Sequence, residues 1–343
     1  MPASSVALKN RERRFSLAAL LLVAFFSLIL GIVGHILFSS PESPVFTRVD
    51  NTKHRLLQSD YPLVDPLLAC EPSQQKKFDE GAPLRSAVQK LIDSSVASRS
   101  ATQVSVYLQD YATGNWVDIN GSSKYSPASL LKVPLMISYF KLAETTPKVL
   151  ESKLSYNGDD QNSDEYFKAA SPIKPNEFYT VDEMIDKMIA ESDNTSTTLL
   201  SQSINEKSRD EVFNDLGVSS PQNPASDYMT VKDYAYFFRV LYNATYLTRS
   251  FSEKALEVLT TSHFTEGIKG GIPVDVKAAT KFGERTVMTT TGTLVERELH
   301  DCGIVYKKDS PYLLCVMTKG QDFDKLADTI RSISKLVYDE VGK

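Results

Sequence analysis

The sequence predicts an α+β fold: an antiparallel sheet flanked by terminal helices, with an all-helical subdomain, preceded by one transmembrane helix. Three observations carry this. Residues 15–38 form an unbroken apolar run. Period-2 alternation marks residues 103–109 and the final third of the chain. Between those regions the apolar residues recur at helical spacing.

The run Phe15 to Phe38 contains no Asp, Glu, Lys or Arg. As a helix it spans roughly 36 Å, enough to cross a bilayer. It exceeds a signal-peptide core of about 7–15 residues, and no A-x-A-like cleavage site follows it. Lys9, Arg11, Arg13 and Arg14 precede it, opposed only by Glu12. The positive-inside rule then places residues 1–14 in the cytoplasm and everything past the helix outside. The expected location is therefore a single-pass membrane protein with an extracytoplasmic domain. Residues 39–82 are rich in Pro, Ser and charge without a sustained period, and read as a linker or stalk. Residues 83–343 are long enough to bury a substantial core.

Within that domain, Leu84, Val88, Leu91 and Ile92 have helical spacing. Gln103 to Gln109 alternates, a turn follows at Asp110 to Asn115, and Trp116 to Ile119 returns as a hairpin. A helix is expected from Ser129 to about Ala143, its first turns irregular because Pro134 falls inside it. The middle is helical, with Val181 to Ala190, Thr195 to Ile204 and Val231 to Tyr242 the clearest segments. Strands are expected at Val274 to Lys281, Cys302 to Tyr306 and Tyr312 to Thr318, the last two joined by a Lys307-to-Pro311 hairpin. Phe323 to Val341 closes as an amphipathic helix.

Net charge is −5, with no basic stripe outside the N-terminus, so nucleic-acid binding is not expected. No Cys/His cluster has metal-ligand spacing, and no metal or cofactor is expected. Three cysteines make no disulfide framework. Cys302 and Cys315 lie in stretches that read as neighbouring strands, where a bridge is open to them, but buried free thiols are the expectation. The sequence does not speak to oligomeric state.

Three short motifs carry chemistry. Ser129-Leu130-Leu131-Lys132 puts a hydroxyl and an amine one helical turn apart, so an amine of lowered pKa can take the serine proton. Ser192-Asp193-Asn194 follows an amphipathic helix and opens another. Its residues suit an N-cap, and equally a second hydroxyl for proton relay with an amide to hold a carbonyl. Lys281-Phe282-Gly283 ends an alternating run, placing an ammonium where it can hold a carboxylate, and a glycine where a backbone can be approached closely.

Together, in this order and these contexts, the motifs resemble the Ser-x-x-Lys, Ser-Asp-Asn and Lys-Thr-Gly set of class A β-lactamases and penicillin-binding proteins. The hairpin VYLQDYATGNWVDIN and the segment CGIVYKKDSPYLLCVMTKG resemble that family's early and closing strands. The resemblance implies a β-lactamase/transpeptidase-like fold over residues 83–343. It further implies that Ser129 is acylated, that Lys132 is its base or part of the relay, and that Ser192 passes a proton to the leaving nitrogen. Asn194 would hold a substrate amide and Lys281 its carboxylate. The backbone N–H groups of Ser129 and Glu284 would form the oxyanion hole. The implied partner is a small β-lactam or a peptidoglycan-type D-alanyl peptide, with breakdown of β-lactam antibiotics and resistance among the implied roles.

Two departures stand out. Phe282 replaces the family's Thr or Ser, removing a hydroxyl that would bond the carboxylate. The family's water-activating Glu, downstream of Ser-Asp-Asn on an omega loop, has no counterpart: residues 219–228 contain Asp227 as their only acid. The expectation is a serine that is acylated and slowly released. The alternative is a catalytically impaired binding module of the cell envelope.

Overall fold

The computed structural model describes residues 61–66, 82–158, 161–220, 223 and 226–343. The apolar run Phe15 to Phe38, Cys70 and most of the expected stalk lie outside the described residues. Among the described residues no helix is long and apolar enough to cross a membrane.

Helix α1 (Ala82–Ala97) leads into β1 (Gln103–Asp110), β2 (Trp116–Ile119) and the short β3 (Lys124–Tyr125). A 3₁₀ turn, Ala128–Leu131, precedes α2 (Lys132–Ala143). The expected irregularity is thus real: Pro134 is tolerated because it sits in the first turn of α2, where an N–H would lack an intrahelical partner. Short strands β4 (Lys153–Ser155) and β5 (Phe178–Thr180) bracket a long loop. Then follow α3 (Val181–Ala190), α4 (Asn194–Ser203), α5 (Glu206–Leu216), β6 (Met229–Thr230), α6 (Val231–Tyr242) and α7 (Arg249–Thr260). Helices α3 and α6 start at capping boxes, Thr180 with Glu183 and Thr230 with Asp233, which satisfy their first free N–H groups.

The last third supplies β7 (Ala278–Met288), β8 (Leu294–Val305), β9 (Tyr312–Gly320) and α8 (Phe323–Glu340). The sheet order is β2-β1-β9-β8-β7, every neighbouring pair antiparallel. All nine residues of the central β9 are buried, because both sheet faces are covered. Its Leu313, Cys315 and Met317 join the core shared with the helical subdomain. Its Tyr312, Leu314 and Val316 join the core under α1 and α8. This is the period-2 division of one strand between two cores.

Three differences from the sequence reading have physical causes. Cys302 and Cys315 are bonded as a disulfide, not free thiols; β8 and β9 pair in a register that sets them directly opposite. Their separation of 13 residues gives a loop-closure term of about 3 kcal/mol. Replacing both with Ala should therefore lower unfolding stability by about that amount, read from urea midpoints; no change would show that the bridge does not constrain the unfolded chain. Second, β7 begins at Ala278 and runs to Met288, because Val274 is fully exposed and residues 283–288 pair with β8. Lys281 therefore lies inside the strand and not at its end. Third, residues 61–66, placed by the sequence in the stalk, lie on the domain. Leu63 and Val64 are buried, and their N–H groups donate to the Glu253 carboxylate at 2.9–3.1 Å.

Candidate active site

Ser129 sits in the 3₁₀ turn on the wall of a cleft of about 700 Å³. Lys132, Glu165, Asn194 and Glu284 line the same cleft. The preceding residue, Ala128, has φ of 49°, a left-handed conformation that costs a non-glycine residue energy and persists only when its surroundings impose it. Ser192 is also left-handed, at φ 58°.

Lys132 opens α2 and is 2% exposed. Its Nζ donates to Ser192 Oγ at 2.9 Å, to Asn194 Oδ1 at 2.7 Å and to the Ser192 carbonyl. An ammonium has three N–H bonds, and all three are spent there. Burial pulls its pKa down to about 8, opposed by Glu165, Asp193 and Glu284. Loss of one proton leaves two donors and a lone pair, which is what a base for Ser129 needs.

Lys281 reaches the same hydroxyl from β7. Its Nζ donates to Ser192 Oγ at 2.9 Å and to the Phe282 carbonyl at 2.8 Å. Burial first, and then the charge of Lys132, push its pKa well below the ordinary lysine value. Ser192 Oγ is thus held between two amines, each biased toward its neutral form, an arrangement that can pass a proton either way.

Asp193 performs the capping role that the sequence allowed for this triplet. Its Oδ1 accepts from Ser196 N–H at 2.9 Å and its Oδ2 from Ile173 N–H at 2.7 Å. The cap fixes the start of α4, and with it the flanking Ser192, which is buried, and Asn194, which lines the cleft.

Gly283 faces the serine turn. A Cβ there would lie 2.7 Å from the Pro127 carbonyl oxygen and 2.9 Å from Leu130 N. The glycine therefore lets β7 close against the Ser129 turn. Glu284 follows it beside Ser129 on the cleft wall. Its carboxylate accepts from the N–H groups of Tyr166 and Phe167, at 3.1 and 2.9 Å.

Residues 83–341 match the model of the β-lactamase enzyme family. The chain belongs to that family. Solved structures agree on the fold. A PBP-A mutant in its acyl-enzyme complex with penicillin G is 19% identical, at a TM-score of 0.62, covering 75% of this chain and 95% of that one. A β-lactamase from Sphaerobacter thermophilus is 19% identical at a TM-score of 0.61, covering 74% and 95%. A class A β-lactamase from Bacteroides cellulosilyticus is 19% identical at a TM-score of 0.61, covering 74% and 97%. No curated protein matches the chain in sequence.

Against this β-lactamase background the two departures acquire structural content. Phe282 is 5% exposed and does not line the cleft. Its ring stacks on Phe264 at 4.2 Å and meets Phe167 edge-on at 5.9 Å. It anchors the loop between β4 and β5, the same loop that Glu284 holds. Asp227 is not an acid of the cleft: its carboxylate pairs with Lys319 and, at 3.4 Å, with Arg285.

The loop instead delivers a carboxylate that sequence reading missed. Glu165 Oε1 accepts from Asn194 Nδ2 at 2.6 Å, and its Oε2 is buried without a hydrogen-bond partner. Burial raises the Glu165 pKa, opposed by Lys132, Lys281 and the Asn194 hydrogen bond. Its only sequence signal is Asp164-Glu165 in an aperiodic stretch upstream of Ser-Asp-Asn, where no spacing rule directs attention.

Proposed function

We propose that this β-lactamase family member forms an acyl-serine at Ser129 with β-lactams or D-alanyl peptides and releases it slowly. One observation carries the reading: Lys132 and Lys281, both buried, converge at 2.9 Å on Ser192 Oγ beside the serine cleft. Lys132 takes the Ser129 proton as Oγ attacks the carbonyl. The backbone N–H groups of Ser129 and Glu284 receive the oxyanion, and Ser192 returns a proton to the departing nitrogen. Two buried amines without such a task are costly to keep, which weighs against the binding-module alternative.

We place the domain outside a membrane, anchored by Phe15 to Phe38. The charge pattern supports this, and the disulfide suits an oxidising compartment. Protease digestion of sealed cells checks it; a domain protected until lysis would overturn it.

The chemistry is tested with a fluorescent penicillin. The protein should be labelled covalently, and Ser129→Ala should abolish the label. Absence of label on the parent protein, or a label that survives the substitution, refutes the proposal.

A further inference from the structure

The backbone ahead of the nucleophile is gripped by two side chains from β8 that the mechanism above does not use. Glu298 and His300 are two residues apart, so they share a face of the strand, and both are fully buried. Ser126 N–H donates to Glu298 Oε2 at 3.1 Å. His300 Nε2 lies 3.0 Å from the Ser126 carbonyl oxygen. His300 Nδ1 accepts from Thr318 N–H at 3.3 Å, so the proton of the neutral ring is on Nε2 and points at that carbonyl. Both backbone groups of one residue, three positions before Ser129, are therefore held by one pair of side chains.

The pair is itself fixed. His300 Nε2 is 3.4 Å from Glu298 Oε2, and Arg285 donates to Glu298 Oε1 at 2.9 Å. The His300 ring meets Tyr125 edge-on at 5.4 Å. On the far side of the serine, Tyr234 donates its hydroxyl to the Leu130 carbonyl at 2.9 Å. Between these two anchors lies Ala128 at φ 49°. Released, a non-glycine residue leaves that well, which disfavours it roughly tenfold.

We infer that Glu298 and His300 are positioning residues for acylation: by holding the Ser126 peptide at both ends they keep Ala128 left-handed and Ser129 Oγ facing the cleft. The inference rests on the proposed function but is separable from it. A glycine at position 128 adopts positive φ without strain, so it should relieve the need for the clamp. That rescue distinguishes positioning from a general loss of packing.

The experiment is a double-mutant cycle on acylation by benzylpenicillin. His300→Phe keeps the ring and removes the donor, and should slow second-order acylation about tenfold or more. In a Ser129→Ala background it should leave non-covalent affinity within about twofold. Adding Ala128→Gly to His300→Phe should recover most of the lost rate. No loss in His300→Phe, or a loss that Ala128→Gly does not recover, overturns the inference. Where the ring variant does not fold, Glu298→Gln enters the same cycle. A crystal structure of either variant reads the clamp without turnover. Ala128 leaving positive φ supports the inference, and Ala128 retaining it overturns the inference. If the parent protein takes no acyl group at all, the function falls and the structure alone still decides the clamp.

Discussion

Lys132→Met should slow acylation by roughly a hundred- to ten-thousandfold, the range that a positioned general base contributes. The parent protein should show an acid limb in its acylation rate centred near the Lys132 pKa of about 8. The sign follows from the role. The neutral amine is the base, so the rate falls as pH drops through that value and reaches a plateau above it. Glu165→Gln checks the assignment independently. Its carboxylate is the strongest charge opposing the fall in the Lys132 pKa, so its removal should move the acid limb to lower pH, by about one pH unit. Stopped-flow acylation with a chromogenic cephalosporin across pH 6–10 measures both. A flat profile, or a Lys132→Met variant as fast as the parent, removes lysine from the role of base.

Acylated protein should persist. Intact mass after minutes with benzylpenicillin should show one added penicillin per chain, still present after hours. Release needs a water stripped of its proton toward the acyl carbonyl, and a base for that step is again a matter of roughly a hundred- to ten-thousandfold. The segment between α5 and β6 contains no Glu. Asp227 within it is held by Lys319 and Arg285, and the Glu284 carboxylate caps the Tyr166 and Phe167 N–H groups. Glu165 holds Asn194 with one oxygen. An adduct that disappears within minutes would refute slow release and single out Glu165, whose second oxygen has no partner, as the acid to substitute next.

The elements with strong period were legible in the sequence. The β1–β2 hairpin, α3 and α6 lie where alternation and helical spacing placed them, since each has one face in a core that tolerates no slip. The motif residues were legible because their spacing is local: Ser129 with Lys132 on one turn, Ser192 with Asn194 at one cap. What escaped depends on distant segments meeting. The Cys302–Cys315 bridge needs the β8–β9 register. Glu165 reaches Asn194 only because Phe167 docks on Phe282 and Glu284 holds the loop. Phe282 read as a lost hydroxyl, and its aromatic neighbours Phe167 and Phe264 come from two other segments. The end of β7 was misread because residues 284–288 are partly buried or exposed, so their hydrophobic pattern is weak.

The docked stretch at Leu63 and Val64 bears on where the folding unit begins. A soluble fragment cut at residue 83 would lack two apolar side chains that complete the core. It would also strand the Glu253 carboxylate, whose pKa burial already raises and the Leu63 N–H helps to hold down. An acid left without its donors inside a protein prefers its protonated form. Such a fragment would be most compromised at neutral pH and would regain stability as pH falls through the raised value. A stretch that reads as linker in the sequence is, over these residues, part of what keeps the β-lactamase-like domain folded.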